Sequence, residues 1–168
     1  MIEGTEELAS LLEYKDGSLY WKVDTPRKKV GDFAGSKANS GYVHINYKGR
    51  VYLAHRVAFF IHNGYLPEYV DHVNGIRDDQ RPDNLRAATA AENSRNCSVM
   101  KGKNTKYKGI YFNAGKWEAR IRVDNKLLYL GKFSSEEDAA MAYNKAAPIH
   151  HKSFAKLNDN VEVNLGNS

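Results

Sequence analysis

From Trp117 to Asp124 the chain alternates without a break. Trp117, Ala119, Ile121 and Val123 fall on one parity, and Glu118, Arg120, Arg122 and Asp124 on the other. A two-residue period sorts side chains onto two faces only in an extended strand. The segment must therefore be a strand with one buried and one solvated face. The buried face needs a cover, and residues 136–147, EEDAAMAYNKAA, offer an alanine-rich helix that can lie close on a sheet. Ser134 and Glu137 stand in capping-box spacing at its start, and Pro148 is the expected stop. Arg120 and Arg122 then face outward.

Charge marks the same region. The net charge of +5 comes wholly from the second part of the chain, because residues 1–100 hold 13 Lys/Arg against 13 Asp/Glu. Residues 101–133 hold 9 against 2. A basic patch confined to one segment is the electrostatic footprint of a nucleic-acid partner.

The C-terminal segments are Tyr107-Lys108-Gly109-Ile110, then 115–122 (GKWEARIR), Tyr129-Leu130-Gly131-Lys132-Phe133, and the helix over 136–147. Together they resemble the Apetala-type (ethylene-response-factor) DNA-binding domain of plants. The resemblance implies a three-stranded antiparallel sheet packed on one helix, with the sheet laid in the major groove. The residues it assigns to DNA are Lys108, Tyr111, Lys116, Arg120, Arg122, Lys126 and Tyr129. Arginine on such a face can pair bidentately with guanine, while lysines mostly meet phosphate. Departures from the plant pattern stand at Tyr111 and Leu127, where plant members carry DNA-contacting arginines, and at Arg120, where they carry glutamate. The plant target sequence therefore does not carry over.

A second constellation lies upstream, between His55 and Asn96. Its polar positions are the pair Asp71-His72, Asn84 twelve residues after His72, and Asn93 nine residues after Asn84. Val70-Asp71-His72 follows Tyr69 in a β-prone run, and Thr89 and Glu92 form a capping box that opens a helix carrying Asn93. With His55-Arg56, the triplet Asn84-Leu85-Arg86 and the pair Glu92-Asn93, the stretch resembles the HNH nuclease motif, in the His-Asn-Asn form of phage-type homing endonucleases. The resemblance implies a ββα-metal unit. Asp71 and Asn93 each offer an oxygen to one divalent ion, Mg²⁺ with Mn²⁺ as a substitute. His72, neutral near pH 7, takes a proton from the attacking water. Asn84 hydrogen-bonds across the loop to hold the strand of His72. His55 either orients the site, contacts phosphate or packs structurally, and Asn96 is either an alternate ligand or a packing residue. This family usually carries Asp-Asn-Arg before Asn84, where this chain reads Asp78-Asp79-Gln80-Arg81-Pro82-Asp83.

The N-terminal segments also resemble phage HNH enzymes, so that resemblance covers roughly 8–97. Residues 5–14 read as a helix capped by Thr5, and 18–23 as a strand after the Asp16-Gly17 turn. Residues 42–47 and 50–53 form a hairpin about Lys48-Gly49, and 54–63 form an apolar helix ended by Gly64. The expected fold is α+β. Residues 1–97 form a nuclease domain in which a helix and hairpin precede the ββα unit; 98–106 form a basic linker, 107–158 the DNA-binding domain and 159–168 a tail.

One cysteine, Cys97, excludes an internal disulfide and a cysteine-based zinc site. With an acidic start, MIEGTEELAS, and no apolar run of membrane length, the expectation is an intracellular protein, in the host cytoplasm if phage-encoded, with no membrane partner. The expected function is site-specific, metal-assisted hydrolysis of double-stranded DNA. A monomer with one metal site suits nicking, and a dimer or sequential cuts would break both strands. The alternatives are a DNA-binding transcription regulator with an inactive HNH relic, against which the intact Asp71, His72 and Asn93 weigh, and a host-defence nuclease without one long target.

Overall fold

A computed structural model describes residues 4–96, 105–159 and 161. The linker reading at 98–104, Cys97 and the tail at 160 and 162–168 lie outside the described residues. The chain divides into two compact units, Met1–Asn93 and Ser94–Ser168, each with its own hydrophobic core.

The first unit opens with α1 (Thr5–Ser10), which is shorter than its apolar spacing predicts. Leu12 leaves the helix because Leu12–Lys15 is claimed as strand β1 by β2 (Ser18–Trp21), in a hairpin about Asp16 and Gly17. The helix cap is Gly4 at positive φ, and Thr5 is a buried residue inside the first turn. A three-stranded sheet follows in the order β3 (Ser36–Lys37), β4 (Val43–Tyr47), β5 (Arg50–Leu53). Lys48 and Gly49 both take positive φ, the two-residue turn whose twist matches paired strands. Helix α2 (Ala54–Asn63) buries Ala54, His55, Val57, Ala58 and Phe59 on one face and ends at Gly64 in the left-handed region. Strand β6 (Tyr69–His72) pairs antiparallel with β7 (Leu85–Ala88), joined by a loop and a 3-10 turn at Pro82–Asn84. Helix α3 (Ala90–Arg95) leaves β7 through Thr89.

The second unit is a sheet in the order β10-β9-β8 covered by α4 (Glu136–His151), with β8 Ile110–Asn113, β9 Lys116–Val123 and β10 Lys126–Phe133. Ala119 and Ile121 of β9 are buried against Ala139, Ala140, Tyr143 and Ala147 of α4, so the alternating segment buries the parity that its sequence marks. Gly109 makes this close approach possible. Its φ is +76°, and a Cβ there would lie 2.3 Å from the Tyr143 ring and 2.5 Å from the Arg120 carbonyl.

Two details of α4 differ from expectation. The cap is Ser135, whose Oγ accepts the Asp138 N–H at 3.1 Å; Ser134 lies one residue too early. The helix also passes through Pro148 to His151. A proline this near the C-terminus removes one ladder bond. The buried His151 anchors the last turn instead, its Nε2 donating to the Arg122 carbonyl at 2.8 Å.

Strand β10 is not regular. Tyr129 faces Arg120 and Gly131 faces Ala119, so Leu130 is an extra residue in a bulge. Gly131 takes φ +135°, open to glycine alone in practice, and a Cβ there would crowd the Phe133 ring at 3.1 Å. Beyond the bulge the parity is reversed: Lys132 joins Glu118 on the outer face and Phe133 pairs with Trp117 on the inner one.

Candidate functional site

Asp71 and His72 are consecutive on β6, 5% and 4% exposed. Asp71 lies opposite Arg86 on β7, and the guanidinium donates to Asp71 Oδ2 from Nε at 2.8 Å and Nη2 at 2.6 Å. His72 packs against rings from earlier elements. The His55 ring, in the first turn of α2, lies 4.8 Å away between centroids and the Tyr42 ring 6.0 Å away. The Arg77 guanidinium covers Tyr42 at 4.9 Å. Burial pushes His72 below the usual histidine value, against the opposing pull of Asp71. His55 is pushed down to about 3, first by burial and then by the charges of His72 and Arg56. Both imidazoles are neutral near pH 7, and a neutral imidazole can accept a proton.

The loop after β6 is tied from inside. The Val73 N–H donates to the Asn84 carbonyl at 2.9 Å, and the Asn74 N–H to Asn84 Oδ1 at 3.0 Å. Asn84 Nδ2 donates to the Asp79 carbonyl at 2.8 Å. Asn84, 5% exposed, thus joins the two limbs of the loop through one side chain. The Asp79 carboxylate is a second hub. It accepts from Asn74 Nδ2 at 2.8 Å and from Arg81 through Nε at 2.9 Å and Nη2 at 2.7 Å. The bonds from Arg81 hold it far below the usual carboxylate range. Asp79 occupies the stretch where the sequence departs from Asp-Asn-Arg.

Thr89 and Glu92 close the box at the start of α3. Glu92 Oε2 accepts the Thr89 N–H at 2.9 Å, and Thr89 Oγ1 accepts the Glu92 N–H at 3.3 Å. Asn93, half-buried in this helix, donates its N–H to the Thr89 carbonyl at 2.9 Å. Asn96, just beyond α3, is 8% exposed. Asp71-His72 and Asn93 are therefore carried by one strand pair and the helix that follows it.

Residues 52–95 match the HNH endonuclease family. The match takes in α2 with His55, both strands β6 and β7, and the whole of α3. The C-terminal part is similar instead to plant transcription factors of Arabidopsis thaliana. An AP2/ERF and B3 domain-containing transcription factor is 35% identical over 80 residues, 47% of this chain and 22% of the relative. An AP2-like ethylene-responsive transcription factor is 51% identical over 47 residues, 26% of this chain and 14% of the relative. An ethylene-responsive transcription factor-like protein is 48% identical over 40 residues, 24% of this chain and 18% of the relative. The chain thus spans about a fifth or less of the length of these relatives. Among the described residues no helix is long and apolar enough to cross a membrane.

In the second unit the outer face of the sheet differs from a plain row of arginines. Glu118 is only 3% exposed although its parity is outward, because its neighbours close over it. Arg120 pairs with Glu118 Oε2, Lys132 Nζ lies 3.2 Å from Oε1, and Asn113 Nδ2 donates to Oε1 at 3.1 Å. Led by the Arg120 hydrogen bond, these hold the Glu118 carboxyl down to about 2. The Arg120 guanidinium also stacks over Tyr111 at 5.4 Å. Arg122 and Lys126 are exposed, and among the described residues Arg122 makes no ion pair. Lys116 is exposed with Nζ 3.4 Å from Ser134 Oγ, and Tyr129 is exposed. Lys108 is half-buried, and its ammonium donates to the Arg95 carbonyl.

Sequence reasoning assigned no role to Arg86, Asp79 or Tyr42. Arg86 was legible as the last residue of Asn84-Leu85-Arg86. Asp79 had no signal of its own among three nearby aspartates.

Proposed function

We propose that this chain is a DNA endonuclease of the homing type, phage-associated, in which residues 1–97 cut double-stranded DNA and residues 107–158 hold it. The observation that carries this reading is the local order of the HNH stretch. Strand β6 bears Asp71 and His72, pairs with β7, and β7 runs through the Thr89–Glu92 box into the helix bearing Asn93. This strand–strand–helix order supports reading the stretch as a ββα-metal unit.

Among the described residues no cluster of three or more His, Cys, Asp or Glu is present. The donors on offer are oxygens, the Asp71 carboxylate and the Asn93 amide. That set fits a hard cation completing its shell with water and phosphate oxygens, which is the habit of Mg²⁺ and Mn²⁺. Asp71 and Asn93 would hold the ion, and when bound it stabilises negative charge on the scissile phosphate and the leaving oxygen. The protein supplies the rest. Arg86 fixes the carboxylate of Asp71. His72, buried and neutral, takes the proton of the attacking water. Asn84 pins the loop that continues the strand of His72, and His55 and Tyr42 wall its ring.

A DNA-binding regulator without nuclease activity is the second reading, since the C-terminal relatives are transcription factors. The presence of Asp71, His72, Asn84 and Asn93 together favours the nuclease. The test is supercoiled plasmid incubated with Mg²⁺ or Mn²⁺. Nicked or linear product is expected, none with chelator, and none from His72→Ala. Absence of product with either metal, or undiminished cutting after exhaustive chelation, overturns the assignment.

A further inference from the structure

We infer that the outer face of the β8–β9–β10 sheet carries a thymine-methyl site at Leu127, set beside Arg122 as the guanine-pairing arginine, while Glu118 withholds Arg120 from the bases. The inference rests on the reading that this unit binds duplex DNA, and goes beyond it by naming the base chemistry.

The register fixes which side chains share the face. Leu127 stands directly opposite Arg122, and Tyr129 directly opposite Arg120. Tyr111 on β8 stands opposite Glu118. The helix covers the other parity, so these residues lie on the face away from α4. Leu127 is 49% exposed and Tyr129 53% exposed. An apolar side chain this open on a sheet face calls for an occupant. The surrounding charge selects a polyanion: Lys116, Arg122 and Lys132 share the face, and Glu118, the acid of β9 on it, is already neutralised by Arg120 and Lys132. Duplex DNA meets this demand, and its major groove offers one apolar group to such a side chain, the C5-methyl of thymine.

The two arginines are not equivalent. Arg120 is committed to Glu118 and stacked on Tyr111. A bidentate contact from it to guanine would first have to break a charge-assisted hydrogen bond. Arg122 carries no such commitment. Cross-strand neighbours lie ~5 Å apart at Cβ, close to the ~3.4 Å rise of one base step. Arg122 and Leu127 therefore address the same or adjacent base pairs, one reading a guanine edge and the other a thymine methyl.

The experiment uses the full chain without divalent metal, so that nothing is cut. A preferred duplex is selected from a random pool, and each thymine in it is then replaced singly by deoxyuridine, which removes only the methyl. One replacement should weaken binding about fourfold, the factor expected for ~0.8 kcal/mol per buried CH₂. Leu127→Ala should bind the thymine and uracil duplexes equally. Leu127→Arg should move the preference at that base towards guanine. Arg122→Ala should relax choice at the same or a neighbouring base pair, and Arg120→Ala should leave base choice as it is. Unchanged circular dichroism of Leu127→Ala confirms that the half-exposed site is not a folding residue. Selective duplex binding with no response to any uracil, or an equal response in Leu127→Ala, overturns the thymine site while leaving the DNA-binding reading intact. No duplex binding at any salt concentration overturns both.

Discussion

Arg86 and Asp71 face each other across β7 and β6, and the guanidinium grips a single carboxylate oxygen with two of its nitrogens. The pair is largely shielded, with side chains 18% and 7% exposed. Removing one partner of a shielded pair leaves the other charge stranded. Arg86→Ala is expected to cost about 3 kcal/mol or more in urea unfolding. Mg²⁺ should restore part of that loss by neutralising Asp71, and should restore nothing in the double variant with Asp71→Ala. Equal Mg²⁺ responses in the two variants would contradict a metal at Asp71.

His72→Ala should reduce cleavage by roughly 10²–10⁴, the usual range for a lost general base. Duplex affinity measured in chelator should stay within a factor of two of wild type, roughly the ±0.5 kcal/mol expected of a change away from the binding surface. Wild-type cleavage rates in this variant at neutral pH would remove His72 from the chemistry.

His55 gives a pH signature of stability. Its folded pKa is pushed down to about 3 by burial, while the unfolded chain titrates near the ordinary 6.5. Between those values the unfolded state binds the extra proton. Stability is therefore fully present above 6.5 and falls as pH drops towards 3, by at most ~1.4 kcal/mol per pH unit. Urea midpoints followed by Trp21 fluorescence in a Trp117→Phe background should show this loss. The slope should be shallower in His55→Gln, and parallel slopes would show that His55 is not the titrating group.

Much of this was legible from the residues. The apolar helix over 54–63 with its Gly64 cap, the hairpin about Lys48-Gly49 and the Thr89–Glu92 box each rest on local chemistry, which a sequence displays directly. What was not legible depends on partners distant in sequence. Leu85–Ala88 has no strand character of its own and becomes β7 because β6 pairs with it. Leu12–Lys15 leaves its helical spacing for the same reason. The site showed its acids and amides, but not the arginine on Asp71, the rings around His72 or the carboxylate hub at Asp79, since each is a meeting of segments. On the outer sheet face, parity placed Arg120 and Arg122 together, and only the contacts of Glu118 separate them.

Glu118 therefore offers a test in the opposite direction from most substitutions. Glu118→Gln frees Arg120 and Lys132 from their shared anion. Duplex affinity should rise at low salt, and the slope of log K against log salt should steepen by about one to two, near 0.9 for each added phosphate contact. Site preference should weaken, because the added attraction ignores sequence. A salt series on selected and random duplexes measures both, and an unchanged slope would show that the two cations do not reach phosphate.

The extra residue at Leu130 makes strand length itself a carrier of information. Were the bulge to close with Leu130 kept, Leu130 would stand opposite Ala119 and the two sides of β10 beyond it would exchange, turning Lys132 towards α4 and Phe133 outward; deleting Leu130 instead keeps Lys132 opposite Glu118. No ionisable group is lost when the bulge closes, yet Gly131 would then stand opposite Glu118 in place of Lys132. An alignment that moves a gap by one position here assigns an outward role to the wrong residue. Along this strand the bulge, and not the residue count alone, decides which side chains face outward.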